Sequence, residues 1–103
     1  MLVAFSVAPS GADESGSVHK AVAEAVRIVR ESGLPNHTDS MFTTIEGEWT
    51  EVFDVIRRAT EAVGRYGSRV SLVLKADIRP GYSGQLTAKV ERLEKALAED
   101  IGN

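Results

Sequence analysis

An α+β sandwich is the fold class that this 103-residue sequence predicts, on three observations. Segments 1–8 and 69–78 alternate apolar with smaller or polar side chains at period 2, the signature of strands with two unlike faces. Two segments between them repeat valine, alanine and isoleucine at helical spacing, so each lays an apolar stripe along one side of a helix. The elements then come in the order strand, helix, one or two strands, helix, strand, with a further helix at the end.

In the first strand Val3, Phe5 and Val7 fall on one face and Ala4 and Ser6 on the other, and Pro9-Ser10-Gly11 ends it. Ser15 and Ser17 are both candidate N-caps for a helix running to about Ser32, because either hydroxyl can accept a first-turn amide. Val18, Val22, Ala25, Val26 and Val29 form its apolar stripe, and Lys20, Glu24, Arg27, Arg30 and Glu31 fall largely outside it. Gly33 suits the left-handed position after the last turn, and Leu34-Pro35 reinforces the stop. Residues 37–47 mix polar side chains with the β-branched Thr38, Thr43, Thr44 and Ile45, enough for two short strands or one bent one, broken by Gly47. The second helix presents Val52, Phe53, Val55, Ile56, Ala59, Ala62 and Val63, with Thr50 or Glu48 at its start. Residues 64–68 close it, and Gly67 is expected to be the left-handed residue. RVSLVLKADI, residues 69–78, is the clearest strand: Val70, Leu72, Leu74 and Ala76 face one way, Ser71, Val73, Lys75 and Asp77 the other. Arg79-Pro80-Gly81 ends it, and Leu86, Val90, Leu93 and Leu97 make the stripe of a terminal helix to about Glu99.

The order βαββαβ, in two similar halves, specifies a ferredoxin-like arrangement: a four-stranded antiparallel sheet with two helices on one face, here with an extra C-terminal helix. Residues 1–103 are expected to form one such domain. Alternation places Ala4, Ser6, Thr44, Glu46, Ser71, Val73, Lys75 and Asp77 on the open face. A face of this kind is solvated, binds something or is covered by another subunit. Its mixture of small, apolar and charged groups suits a ligand pocket at a subunit interface.

Composition narrows the function. Net charge is −3 with both signs interspersed, so no basic stripe points to nucleic acid. No apolar run approaches the roughly 20 residues that span a bilayer, and the first residues lack a charged leader, so a cytoplasmic location is expected. Without cysteine there are no disulfides, thiolate nucleophiles or cysteine-held metals. Neither HxxxH nor HExxH occurs, which leaves His19 and His37 surface or structural roles, the latter in a local pair with Asp39. There is no GxSxG elbow and no glycine-rich phosphate cradle, and Pro9-Ser10-Gly11 reads as a plain capped loop.

The stretch TTIEGEW carries what remains. Gly47 lets the chain turn between Glu46 and Glu48, and Glu48 then falls at a helix start, where a carboxylate suits the dipole. Trp49 is expected in the core or an interface, with stacking on a ligand as the other reading. Lys75 and Asp77 are expected to pair with each other. Glu46 is left on the open face with no structural task, free to accept hydrogen bonds from an amino-substituted heterocycle or to offset a cation.

These residues resemble the small thiamine-binding-protein family over nearly the whole chain. The resemblance rests on Ser6-Val7-Ala8-Pro9, Glu14-Ser15, Glu31-Ser32-Gly33-Leu34, and then Met41-Phe42-Thr43-Thr44-Ile45-Glu46-Gly47-Glu48-Trp49. It continues through Glu51-Val52, Lys75-Ala76-Asp77-Ile78-Arg79 and Lys89-Val90-Glu91, with the IEGEW turn the most specific part. Ser10-Gly11-Ala12-Asp13 departs from the Leu-Gly-rich first loop of relatives, and Ala76 stands where isoleucine is more usual. The resemblance implies assembly as a homodimer or homotetramer through the open sheet faces. It also implies non-catalytic binding of thiamine or a related aminopyrimidine, with no cofactor required, for salvage or buffering. On that expectation Glu46 pairs with the amino group or the cation, Ser6, Thr43 and Thr44 supply neutral hydrogen bonds, and Asp77 neutralises Lys75. The alternative is a structural or regulatory homo-oligomer without a small-molecule ligand. An enzyme acting on a small heterocycle would need an acid–base partner for Glu46, which the sequence does not identify.

Overall fold

The computed structural model describes residues 1–10 and 17–102, and side chains of residues 1–10 and 18–99. Strand β1 (Leu2–Ser10) is the one around which the sheet is built. It pairs antiparallel with β4 (Arg69–Asp77) along its whole length, from Leu2↔Asp77 to Ser10↔Arg69. On its other side it pairs with β3 (Thr43–Glu46), from Leu2↔Glu46 to Phe5↔Thr43. The short β2 (Asn36–Thr38) lies outside β3, giving the order β2-β3-β1-β4. With α1 (Ser17–Glu31), α2 (Trp49–Val63) and α3 (Gln85–Gly102), this is the expected ferredoxin-like arrangement with an added helix.

Alternation along β1 decides where the core sits. Val3, Phe5 and Val7 point to the helix side and are buried, joined there by Ile45 of β3. Ala21, Ala25 and Val29 of α1 and Val52, Val55, Ile56, Ala59 and Val63 of α2 close over them. Burying each of the larger side chains contributes roughly 1.5–3 kcal/mol. Tyr66, in a single 3-10 turn after α2, donates its hydroxyl to Glu24 at 2.8 Å and fastens that turn to α1.

Several local expectations are corrected. Glu48, not Thr50, is the N-cap of α2, and Glu51 accepts the Glu48 amide at 3.2 Å to close a capping box. Gly67 is extended, with φ −165°, so the end of α2 needs no left-handed residue there; Gly33, after α1, is left-handed as expected at φ +79°. Gly47 is demanded by space rather than by a turn: a Cβ there would lie 3.1 Å from Val52 Cγ2 and 3.5 Å from Leu34. Trp49 is outside the core. It is 56% exposed and stacks on Phe53, one helical turn on, with ring centroids 5.1 Å apart. Asp39 does not bond His37; it accepts the Met41 and Phe42 amides at 2.8 and 2.9 Å and so shapes the β2–β3 hairpin. Those two amides hold its carboxyl below the usual carboxylate range, with the His37 charge a smaller contribution. Ser10 belongs to β1, while Gly11 and Ser15 lie outside the described residues. Among the described residues, no helix is long and apolar enough to cross a membrane.

Candidate functional site

The register of the sheet arranges its open side in rows. Glu46, Leu2 and Asp77 form the first row; Thr44, Ala4 and Lys75 form the second, with His37 beside Thr44. Ser6 and Val73 form the third. Rows follow one another at about 7 Å and strands at about 4.8 Å. Alternation therefore placed these residues on one face correctly. Thr43 departs from the expected site, because it points to the helix side. It is buried there, with its hydroxyl 3.1 Å from that of Thr38.

Helix α3 lands on the open side. Residues 78–84 reverse the chain through Gly81 and Gly84, both left-handed at φ +82° and +67°, where only glycine is unstrained. The reversal brings the first amides of α3 onto Glu46. Its Oε2 accepts from the Gln85 amide at 2.8 Å and its Oε1 from the Leu86 amide at 3.2 Å, and the residue is only 6% exposed. First-turn amides have no partner within their own helix, and a carboxylate at that end also meets the positive pole of the helix dipole. Glu46 thus has the structural task that its sequence context did not reveal: it starts α3. No local signal could have shown this, since its partners lie 39 and 40 residues further along the chain.

Asp77 is likewise engaged by α3. It forms an ion pair with Lys89 instead of the expected Lys75, and the Lys89 hydrogen bond and charge hold its carboxyl below the usual range. Gln85 accepts a hydrogen bond from Arg92 at 3.0 Å, which further orders the first turns.

Between the sheet and these turns runs a groove of about 650 Å³. Asn36, His37 and Thr44 form its sheet wall; Gln85, Leu86, Thr87, Lys89, Val90 and Glu91 form its helix wall. The volume is that of a small-molecule site. It offers hydroxyl, amide and imidazole groups opposite an apolar pair, Leu86 and Val90, with a cation and an anion on the helix side. Of the residues expected from sequence, only Thr44 lines it directly. Glu46 fixes its helix wall from beneath, Asp77 holds Lys89, and Ser6 stands in the row beyond. The helix wall was missed because the stripe of α3 is visible in sequence but its landing place is not.

A family model for thiamine-binding protein matches residues 3–94. The chain is 53% identical over 98 residues to the UPF0045 protein Mb1933 of Mycobacterium bovis, a span covering 94% of each. Among solved structures, the hypothetical protein MJ1052 of Methanocaldococcus jannascii is similar at a TM-score of 0.79 and 26% identity, over 90% of this chain and 94% of that one. TM0486 of Thermotoga maritima, a candidate thiamine biosynthesis/salvage protein, is similar in fold at a TM-score of 0.72 and 22% identity, over 87% and 96%.

Proposed function

We propose that this chain, which belongs to the thiamine-binding protein family, binds thiamine or a related aminopyrimidine without transforming it, in the groove between the open sheet face and α3. The groove itself carries the reading: a cleft of about 650 Å³ whose walls combine neutral hydrogen-bonding groups, an apolar pair and one unburied carboxylate. An aminopyrimidine needs hydrogen-bonding groups, which Thr44 and His37 on the sheet wall offer. A thiazolium needs a nearby anion and an apolar surface, which Glu91, Leu86 and Val90 supply. Glu46 acts indirectly by holding the helix wall in place, and Asp77 acts by neutralising Lys89, whose free charge would repel a cation. Family membership supports the ligand class. On this reading the protein works as a cytoplasmic homo-oligomer in thiamine salvage or buffering, with no cofactor and no nucleic-acid or membrane partner.

Titration calorimetry with thiamine tests it. Saturable heat is expected, and Thr44→Val, which removes one neutral hydrogen bond, should weaken binding by roughly 2- to 10-fold. Absence of saturable heat up to millimolar thiamine overturns the reading.

A second reading has one observation in its favour. Val90, Leu93 and Leu97 of α3 and Val73 of the sheet are all exposed. A homo-oligomer that used this apolar surface only for assembly, structurally or in regulation, would need no ligand. Native mass spectrometry of freshly purified protein separates the two, since it reports subunit count and retained small molecules together.

A further inference from the structure

Helix α1 carries more apolar surface than the core takes up. Ala21, Ala25 and Val29 are buried, while Val22 is 40% exposed. The outer side of the helix has two rows of side chains at i, i+4 spacing, one through Val18, Val22 and Val26, the other through Ala23 and Arg27. An open hollow of about 680 Å³ runs between them, with Arg30 and Glu31 at its far end. Such a groove is the surface into which a ridge of another helix packs, and the small Ala23 midway along it permits a close approach. Beside it stands the tip of the β2–β3 hairpin, where a second hollow of about 200 Å³ is shared with Val22 and Val26. Met41 at that tip is 71% exposed, and Phe42 is next to it. Both are held in place through their amides, which Asp39 accepts at 2.8 and 2.9 Å. Contiguous exposed apolar surface of this kind marks an interaction site.

We propose that the outer face of α1 and the hairpin tip together dock an amphipathic helix of a different protein, one whose apolar stripe is flanked by carboxylates. Charge complementarity selects this occupant. The chain carries −3 overall, yet Arg27 and Arg30 line the C-terminal part of the hollow, against a single carboxylate, Glu31. Among the described residues, neither arginine forms an ion pair. Lys20, two turns before Arg27, adds a cation at the other end of the same side. A second copy docked through this face would set the two arginines against Lys20 or against their own counterparts, and like charges oppose that. An acidic helix meets no such repulsion. Its apolar ridge would cross α1 at roughly −50° and reach Met41 and Phe42, while its carboxylates turn to Arg27 and Arg30. The flexible thioether of Met41 adapts to such a stripe.

This surface lies on the helix side of the sheet, opposite α3, so the proposal does not depend on the ligand reading. Fluorescence anisotropy with a labelled synthetic helix tests it. The probe is a peptide of about 18 residues with leucines at i, i+3, i+4 and i+7 and glutamates on both flanks. A second peptide carries lysines in place of the glutamates. Saturable binding of the acidic peptide is expected at low salt, declining as salt is raised, with the lysine peptide weaker by roughly tenfold or more. Arg27→Glu combined with Arg30→Glu should weaken binding of the acidic peptide to a similar extent, whereas the pair Arg27→Lys and Arg30→Lys should largely preserve it. Ala23→Glu, which fills the middle of the groove, should abolish binding, and Met41→Ala should weaken it several-fold. These four positions are exposed, and circular dichroism checks that each variant is folded. No saturable binding up to millimolar acidic peptide overturns the proposal. So does binding that Ala23→Glu leaves unchanged, which would put the peptide elsewhere, or equal binding of the lysine peptide. A lower subunit count for Ala23→Glu than for the wild type in sedimentation would put a second copy on this face and overturns it as well.

Discussion

Glu46 and Gln85 lie 39 residues apart, and the carboxylate of the first accepts the amide of the second at 2.8 Å. The end of a core strand and the start of an exposed helix are thereby one unit, with the Leu86 amide as a second tie at 3.2 Å. A carboxylate that is 6% exposed is costly unless its hydrogen bonds are made, and two amides make them.

Glu46→Ala should therefore act on α3 before it acts on any ligand. Loss of about 2 kcal/mol is expected in urea denaturation, with Glu46→Gln costing about half as much because one acceptor remains. Hydrogen exchange at the Gln85 and Leu86 amides should accelerate ahead of the rest. Unchanged protection there would mean that other groups hold the helix start.

Gly47→Ala should destabilise although the backbone there is not left-handed. The added methyl would sit 3.1 Å from Val52 Cγ2, a fully buried side chain with little room to yield. A loss of about 1 kcal/mol or somewhat more is expected from the shifted denaturation midpoint. A neutral result would show that Leu34 and Val52 repack.

Acid should loosen α3 through Asp77. Its folded pKa is depressed by Lys89 below the ordinary 3.8, so whatever stability the pair contributes is full above about pH 3.8. It declines as pH falls below 3.8 and is gone below the folded pKa. Unfolding followed against pH should show a shallower acid limb in Asp77→Asn than in the wild type. Identical limbs would remove the pair from the stability of the protein.

Trp49→Ala should cost only about 1 kcal/mol, the worth of one stacked aromatic pair with Phe53. Removing a buried aromatic side chain costs about 3–5 kcal/mol. A loss in that higher range, measured by thermal or chemical denaturation, would place the indole in an interface that encloses it.

The sheet and its helices were legible in the sequence because each rests on a local pattern. Val3-Phe5-Val7 and Val70-Leu72-Leu74 alternate, Val52-Val55-Ile56-Ala59 recurs at helical spacing, and Gly33 marks a helix end. The open face followed from the same alternation. Thr43 was assigned to the site although alternation with Thr44 puts it on the opposite face. The site was less legible because its second wall depends on where α3 comes to rest, which no spacing within Leu86, Val90, Leu93 and Leu97 encodes. The role of Glu46 was hidden for the same reason. Trp49 lies outside the core of the single chain because its position at the first turn of α2 leaves it beside that core, although aromatic size argues for burial.

The cap on α3 also bears on the sequence of events by which the chain folds. A helix whose first-turn amides are satisfied from its own flanking residues can nucleate early, since nucleation is the unfavourable step. Here the acceptor belongs to β3 and is set in position by the pairing of Leu2 with Glu46. α3 is therefore expected to form late, after the central strands have met, so perturbing its start should speed unfolding while leaving the refolding rate nearly untouched. The wall of the groove is thus expected to be the last part of the molecule to arrive and the first to leave.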